Sequence, residues 1–209
     1  RYASSRFPGK PLANKTDRPL IQHVIDRVEQ ARLIDRVIVA TDDQRIADAV
    51  GPKAVMTGDH PNGTSRIAEV VSGIGYGASG MGNSIPDIII NVQGDEPMMS
   101  PDAINQVASN LINSGMSVAT LCEKIKSEES YFDLNCVKVV YNSRGKALYF
   151  SRSPIPAFRN SSEINLDFCF RHVGLYAYRV SFLKQYLQMG KSELELAEKL
   201  EQLTILNLS

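Results

Sequence analysis

Two short runs of β-branched and other apolar residues constrain the fold of this chain most strongly. The first covers residues 35–40, and the second covers residues 87–92 with three isoleucines at its centre. Runs of this kind are typical of strands that are buried on both faces of a parallel sheet. Helical patterns alternate with strand-like segments through the first 120 residues. This order predicts an α/β fold, with an open, mostly parallel sheet and helices on both faces.

Apolar periodicity and turn residues predict the remaining elements. Further strands are expected at residues 54–56, 118–121, 137–141, 147–150 and 173–178. Helices are expected at residues 20–33, 44–50, 64–71, 101–111, 182–187 and 193–203. Residues 142–145 are expected to form a hairpin turn. The chain from 1 to 209 is therefore predicted to be one domain, with an antiparallel lobe at about residues 136–178.

The bulk composition narrows the class of protein. The 209 residues include 23 Lys and Arg against 23 Asp and Glu, so a general nucleic-acid binder, which needs a basic surplus, is not expected. The three cysteines form no CxxC pair, which favours a reduced, cytoplasmic compartment. No apolar run approaches the roughly 20 residues that span a bilayer, so no membrane association is expected.

The first ten residues form a basic segment. Arg1, Arg6 and Lys10 surround two serines and a Pro-Gly turn, which rules out a continuous helix. A loop that combines guanidinium, ammonium and hydroxyl groups with a glycine suits a triphosphate, because several oxyanions can be bound at once. A plain basic N-terminal tail is the alternative interpretation.

Polar residues follow the two buried runs. In open α/β sheets, ligands bind beyond the carboxyl ends of the strands. Thr41-Asp42-Asp43 follows the first run, and residues 91–97 follow the second. Within the latter, Gln93 both donates and accepts, Gly94 removes a side chain, and Asp95 offers an oxygen ligand for Mg²⁺. An ordinary exit from a strand into a turn is the alternative.

Seven segments, in one order, resemble the motifs of a known family. They are residues 1–12, 39–43, 62–69, 91–97, 148–156, 171–178 and 200–203. Together they are similar to the 3-deoxy-manno-octulosonate (KDO) cytidylyltransferases, also called CMP-KDO synthetases. The resemblance covers essentially the whole chain. It implies a Rossmann-like nucleotidyltransferase fold and a homodimeric enzyme that transfers CMP from CTP to the anomeric hydroxyl of KDO, releasing pyrophosphate, for lipopolysaccharide synthesis.

The resemblance also implies roles for individual residues. Catalysis is expected from Arg6, Lys10 and Asp95, with Asp95 as the Mg²⁺ ligand. The residues expected to bind CTP are Arg1, Ala3, Ser4, Arg6, Lys10, Thr41, Asp42, Asn62, Gly63, Thr64, Arg66 and Gln93. The residues expected to face the sugar acid are Gln93, Arg152, His172, Tyr176, Glu201 and Gln202.

Some of these residues also have purely structural interpretations. His172 is also compatible with a core hydrogen bond, and the glutamates from 193 to 201 with the polar face of an ordinary helix. Because Tyr176 and Tyr178 flank Ala177, only one of the two is expected to face the pocket. Phe150, Ile155, Phe158, Phe168 and Phe170 are expected to form a self-association surface.

The chain departs from the family pattern at several places. Ser65 stands where an acidic residue is usual, and Thr204 stands where an arginine is usual, which puts an ion pair at each position in doubt. The family's first strand and a C-terminal segment with a second metal-binding aspartate are not matched, so the chain is expected to be part of a longer protein. Two alternatives remain: a cytidylyltransferase for another sugar acid, such as an acylneuraminate or 8-amino-KDO, and a non-catalytic nucleotide-sugar binder.

Overall fold

The computed structural model describes residues 8–60, 62–74 and 86–207. These residues form two compact units. The first unit contains the described residues up to Ala119 together with Leu175–Leu187. The second unit contains Thr120–Gly174 and the described residues from Gln188 onward. That the chain forms one domain with an inserted antiparallel lobe stays a prediction.

Helices and strands alternate in the first half of the chain, and strands dominate the second half until the last helices. In chain order they are α1 (Leu20–Glu29), β1 (Val39–Thr41), α2 (Gln44–Val50), β2 (Ala54–Met56), α3 (Gly63–Ile74), β3 (Ile88–Asn91), α4 (Pro101–Ser114), β4 (Val118–Lys124), α5 (Glu128–Phe132), β5 (Lys138–Tyr141), β6 (Ala147–Ser151), β7 (Phe170–Arg179), α6 (Val180–Tyr186), α7 (Glu193–Glu198) and α8 (Gln202–Leu206).

In the first unit, β1 and β2 form a parallel pair with helices on both faces. Val39 lies opposite Ala54 in this pair. Both pack with Ile25 of α1 on one face, while Val70 of α3 packs with Ala40 on the other. Because neighbouring strand residues point to opposite faces, each face of the pair contributes to its own apolar cluster. The predicted α/β fold is confirmed.

The first predicted strand and the first predicted helix are both shorter than expected. The strand predicted at residues 35–40 is reduced to Val39–Thr41, and its first two residues are only half-buried. The helix predicted to reach Leu33 ends at Glu29. The amide of Leu33 donates instead to the side chain of Asn105, 3.0 Å away, and the Leu33 side chain is exposed. Leu33 therefore does not continue the buried stripe of α1.

Two other predictions agree closely with the structure. α2 has the predicted bounds, and the short connection to β2 is a single 3-10 turn, Gly51–Lys53. The strand predicted at residues 87–92 is present as β3. Its pairing and burial differ from what the run indicated: β3 is half-buried and pairs antiparallel with β7, so that Ile88 lies opposite Arg179 and Asn91 lies opposite Tyr176.

The second unit contains an antiparallel hairpin of β5 and β6. Its turn lies where the sequence predicts it: the Asn142 side-chain oxygen accepts from the amides of Arg144 and Lys146. Gly145 has a φ of +77°, a left-handed conformation that favours glycine. β5 also pairs with the beginning of β7, with Lys138 opposite Arg171.

Most of the residues expected to form a self-association surface lie in or against the core instead. Phe150 belongs to one buried cluster of the second unit, and Phe170 packs against it. Phe158 packs against another buried cluster. Phe168 differs, because 63% of its surface is exposed. The sequence pattern identified these residues as apolar but could not separate those that cover the core from those that face outward.

Among the helices of the described residues, none has both the length and the apolar character that crossing a membrane requires.

Candidate active site

Lys10 and Asp95, predicted to contact phosphate and metal, form an ion pair in the first unit. The Nζ atom of Lys10 donates to the Oδ2 atom of Asp95 over 2.7 Å. Lys10 begins a 3-10 helix directly after Gly9, whose φ of +73° favours glycine. The two side chains are 42% and 40% exposed. A ligand approaching from solvent can therefore reach both charges.

A tight turn after β3 presents Asp95. The amide of Glu96 donates to the carbonyl of Gln93 across this turn, over 3.2 Å. A Cβ atom at Gly94 would lie 3.0 Å from the Cδ1 atom of Ile21 in α1. A side chain at position 94 would thus displace Ile21 or the turn. Gly94 therefore allows this turn to pack closely against Ile21 of α1.

Arg66 joins the end of β1 to the segment before α3. Its Nη2 atom donates to Asp42 over 2.7 Å, and its Nη1 atom donates to the Thr57 hydroxyl and the Gly58 carbonyl over 2.5 and 3.2 Å. Burial acts to raise the pKa of Asp42, but hydrogen bonds from Arg66 and the backbone, with the positive charge of Arg66, outweigh it and hold that pKa below its ordinary value. Asp42 is therefore an anion that holds a buried guanidinium in one orientation.

Thr41 is the last residue of β1 and directly precedes Asp42 in the chain. Its side chain is buried. Its hydroxyl accepts a hydrogen bond from the amide of Asp43 over 3.1 Å. Asp43 in turn caps α2, because its carboxylate accepts from the amide of Arg45. In the structure Thr41 thus shapes the strand-to-helix turn that carries Asp42.

The beginning of α3 lies against the end of β3. A Cβ atom added to Gly63 would lie 3.4 Å from the Nδ2 atom of Asn91. Asn91 pairs with Tyr176 across the β3–β7 ladder. The structure therefore brings a predicted CTP residue, Gly63, close to the strand position of a predicted sugar residue, Tyr176.

Two tyrosine hydroxyls contact the same end of α3. The Oγ1 atom of Thr64 lies 3.2 Å from the hydroxyl of Tyr178, and Asn62 donates to the hydroxyl of Tyr186 over 3.3 Å. The motifs in the sequence did not assign a role to either tyrosine. The i, i+4 spacing of Phe182 and Tyr186 on one helix was the available signal that aromatic side chains converge there.

The expectation that only one of Tyr176 and Tyr178 faces the pocket assumed that the two side chains point in different directions, and that assumption is wrong. Their rings stack, with centroids 5.8 Å apart and an interplanar angle of 13°. Residues two apart in a strand point to the same face, so the alternation with Ala177 places both rings together.

Ser65 takes part in closing the first turn of α3. Its amide donates to the side-chain oxygen of Asn62 over 2.8 Å, and its hydroxyl donates to the Asn62 carbonyl over 3.1 Å. Asn62 therefore supplies the helix-capping acceptor. The departure from an acidic residue at position 65 leaves this helix start intact.

In the second unit, Arg152 binds backbone carbonyls. Its Nε atom donates to the carbonyl of Glu198 over 2.7 Å, and its Nη1 atom donates to the carbonyl of Leu134 over 3.0 Å. The Glu198 carboxylate accepts from the Arg152 amide and from the Ser151 hydroxyl, over 2.7 and 2.6 Å. Arg152 thereby connects β6 to the end of α7.

His172 lies among polar and aromatic neighbours of the second unit. Its Nε2 atom is 2.9 Å from the Thr120 hydroxyl, and its ring meets Phe150 edge to face at a centroid distance of 5.1 Å. Burial lowers the pKa of His172 to about 4. The imidazole is therefore neutral at physiological pH and suits a hydrogen bond better than a charge interaction.

The helix predicted at residues 193–203 is broken, which changes the placement of its glutamates. Lys199 adopts a left-handed conformation with a φ of +56°, so α7 ends at Glu198 and α8 begins at Gln202. The glutamates do not form one polar face. Glu195 is buried, and Glu201 lies at the start of α8 beside the buried Gln202.

Thr204 replaces the usual arginine with a buried hydroxyl. It accepts from the amide of Ser192 over 2.9 Å and donates to the Glu195 carboxylate over 2.5 Å. Lys191 lies 3.4 Å from the same carboxylate. The expected loss of an ion pair is therefore offset by hydrogen bonds that join α7 to α8.

The predicted site residues thus fall into three groups. Ten lie in the first unit: Lys10, Thr41, Asp42, Asn62, Gly63, Thr64, Arg66, Gln93, Asp95 and Tyr176. Arg152, His172, Glu201 and Gln202 lie in the second. Arg1, Ala3, Ser4 and Arg6 lie outside the described residues.

Comparison with known proteins identifies the family to which this chain belongs. The sequence profile of the family described as "Cytidylyltransferase" matches residues 1–208. The 3-deoxy-manno-octulosonate cytidylyltransferase of Ruthia magnifica subsp. Calyptogena magnifica is 52% identical, with 99% of this chain and 83% of that protein covered. That of Alcanivorax borkumensis is 46% identical, with 97% and 81% covered.

A solved structure supports the same family assignment. CMP:2-keto-3-deoxy-manno-octonic acid synthetase complexed with CTP is 43% identical and superposes with a TM-score of 0.87, covering all of this chain and 83% of that one. The chain therefore belongs to the cytidylyltransferase family, and within it to the 3-deoxy-manno-octulosonate cytidylyltransferases.

Proposed function

We propose that this chain transfers CMP from CTP to the anomeric hydroxyl of KDO. The anomeric oxygen attacks the α-phosphorus, a new C–O–P linkage forms, and the bond to the β-phosphate breaks, which releases pyrophosphate and a proton. The product is CMP-KDO, which supplies lipopolysaccharide synthesis. The observation that carries this proposal is the Lys10–Asp95 pair beyond the end of β3, because open α/β sheets bind their ligands beyond the carboxyl ends of strands.

The Lys10 ammonium supports the transfer by its charge. It lies in reach of solvent and already binds an oxyanion, the Asp95 carboxylate. Positive charge fixed beside the phosphates stabilises the negative charge that builds up as pyrophosphate departs. The same role is proposed for Arg6, and the contact of Arg1, Ala3 and Ser4 with CTP also stays a proposal.

The donor set around Asp95 fits a magnesium ion that also contacts substrate. Within residues 8–60, 62–74 and 86–207, no three His, Cys, Asp or Glu side chains converge on one point. Mg²⁺ commonly takes one or two carboxylates and completes its shell with water and substrate phosphates, so a half-exposed Asp95 suffices. When bound, Mg²⁺ neutralises phosphate charge. The residues of this chain hold and orient the triphosphate around it.

The remaining residues are proposed to position the two substrates. Asp42 and Arg66 fix the loops on which Thr41 and Asn62–Thr64 reach the nucleotide. Gln93, at the turn before Asp95, is proposed to lie between nucleotide and sugar. Arg152, His172, Tyr176, Glu201 and Gln202 are proposed to bind the sugar acid, where a neutral His172 suits a sugar hydroxyl.

A substrate panel tests this function. The full-length protein is incubated with CTP, Mg²⁺ and one of three acceptors (KDO, 8-amino-KDO or N-acetylneuraminate), and pyrophosphate release is measured. Turnover that is fastest with KDO supports the proposal. Faster turnover of another acceptor would change the assigned sugar acid. Calorimetry that shows CTP binding without turnover of any acceptor would instead indicate a non-catalytic nucleotide-sugar binder.

We also propose a homodimer and a cytoplasmic location. Exposed apolar side chains of the second unit, among them Phe132, Leu134 and Phe168, support self-association. Light scattering should show twice the monomer mass, and a monomer at micromolar concentration would contradict it. The three cysteines are free thiols, which is typical of a reducing compartment.

A further inference from the structure

We propose that Tyr178 is a positioning residue that connects the CTP-binding end of α3 to the sugar-facing Tyr176. This inference rests on the proposed function. Tyr178 is not among the residues expected to contact substrate. Its effect is exerted through two neighbours, Thr64 on one side and Tyr176 on the other.

Four aromatic rings of the first unit lie in series: Tyr176, Tyr178, Phe182 and Tyr186. The first three are stacked, and Tyr186 is tilted by 36° against Phe182. Centroid distances along the series are 5.8, 6.2 and 6.3 Å. The Tyr178 ring is nearly parallel to both neighbours, at 13° and 4°. Tyr178 is fully buried, so its ring has little freedom to turn. Tyr176 therefore lies next to a buried ring that has aromatic neighbours on two sides.

The hydroxyl of Tyr178 meets α3 at Thr64. The two hydroxyl oxygens are 3.2 Å apart, and both residues are fully buried. They are 114 positions apart in the chain, so this contact joins distant segments. A hydrogen bond shielded from water is stronger than an exposed one and fixes the separation of its partners. The position of Thr64 therefore depends on the position of the Tyr178 ring.

The backbone reinforces this connection. Tyr176 and Tyr178 lie opposite Asn91 and Ile89 in the β3–β7 ladder. Gly63, the neighbour of Thr64, lies close to the Asn91 side chain. The register of β7 thus places the tyrosine pair and the start of α3 in one fixed arrangement. A displacement of Tyr178 would move contacts on both sides.

The variant Tyr178→Phe tests the hydroxyl alone. The ring and its stacking remain, so Tyr176 should keep its place, whereas Thr64 loses one hydrogen bond. We expect the KM for CTP to rise severalfold, because Thr64 is held less firmly for CTP, with an upper limit of about tenfold set by one net hydrogen bond. The KM for KDO should change less than about twofold. Tyr178→Leu, which also removes the ring, should raise both KM values.

Tyr131→Phe provides a matched control. Tyr131 is also a buried tyrosine, and its hydroxyl donates to the Pro156 carbonyl over 2.7 Å within the second unit. The Tyr131→Phe variant should lose about as much thermal stability as Tyr178→Phe, but both of its KM values should stay at the wild-type level. If Tyr178→Leu does not fold, the comparison of Tyr178→Phe with Tyr131→Phe still decides whether the Tyr178 hydroxyl affects the KM for CTP.

The outcomes separate the inference from the proposed function. A Tyr178→Phe enzyme that melts lower but keeps both wild-type KM values would overturn the positioning role and leave CMP transfer standing. Equal increases in both KM values would contradict the assignment of the hydroxyl to the CTP side. A wild-type protein with no CMP transfer would overturn the proposed function itself.

Discussion

The Nζ atom of Lys10 lies 2.7 Å from the Oδ2 atom of Asp95, although the two residues are 85 positions apart in the chain. The turn after β3 holds one partner, and the Gly9 turn holds the other. Because both side chains are partly exposed, an incoming triphosphate can replace the carboxylate as the partner of Lys10. We propose that Lys10 and Asp95 form the end of the site that binds phosphates.

Substitution of Lys10 should separate activity from stability. In Lys10→Met, the partly exposed ion pair is lost, which should change the free energy of unfolding by less than about 1 kcal/mol. CMP transfer should fall by about two orders of magnitude, because a cation that stabilises developing charge is removed. Urea unfolding and a pyrophosphate assay measure the two effects. Near wild-type turnover in a folded variant would contradict the role of Lys10.

Arg66→Lys should weaken CTP binding although the charge is kept. Two guanidinium nitrogens of Arg66 donate, one to Asp42 and the other to Thr57 and Gly58, and the single Nζ atom of a lysine cannot occupy both positions. We expect a loss of about 1 to 3 kcal/mol in the free energy of unfolding, with an increased Kd for CTP in calorimetry. Arg18→Lys, at the exposed pair with Asp26, is the control and should alter neither. An unchanged Kd for CTP in Arg66→Lys would rule out this positioning.

Lowering the pH should decrease the free energy of unfolding, because His172 is buried in its neutral form. Its pKa is about 4 in the folded protein because burial disfavours the charged ring, whereas the unfolded chain has an ordinary pKa of about 6.5. Between these values the unfolded state binds the extra proton, so stability falls as pH decreases from about 6.5 to 4, by up to about 3 kcal/mol. His172→Gln should lack this component in urea unfolding at pH 7 and pH 5. An NMR titration of His172 with a midpoint above 6 would contradict the expectation.

Thr204→Val should destabilise the second unit without altering substrate binding. The change removes a hydroxyl that serves Ser192 and the buried carboxylate of Glu195. We expect about 2 kcal/mol of destabilisation, because a buried acceptor loses a donor. Thr16→Val, at an exposed threonine, should change stability by less than about 0.5 kcal/mol. Equal effects of the two substitutions would show that Thr204 has no special role.

Local signals in the sequence predicted many elements well. The turn at Asn142–Gly145 was predictable because asparagine side chains accept from nearby amides and glycine tolerates a positive φ. α2 was predictable because Asp43 caps it and Gly51 ends it. In both cases the residues that determine the conformation lie within the element or directly beside it.

Other features depend on contacts that no local pattern contains. The break between α7 and α8 lies at Lys199, a residue type that does not usually mark a left-handed conformation. The family motifs identified Lys10 and Asp95 separately, but only the fold shows that they meet. Tyr178 had no motif role, because its importance comes from Thr64 and the neighbouring rings.

Asp95→Asn tests the central claim most directly. The amide has almost the same shape as the carboxylate but lacks its charge, and Asp102→Asn, at an exposed position in α4, provides the control. Initial rates of CMP transfer to KDO are measured for both variants over a range of Mg²⁺ concentrations. We predict that Asp95→Asn reduces kcat/KM by at least about 100-fold with the fold retained, while Asp102→Asn matches wild type. Wild-type, Mg²⁺-dependent CMP transfer by Asp95→Asn would contradict the proposed site.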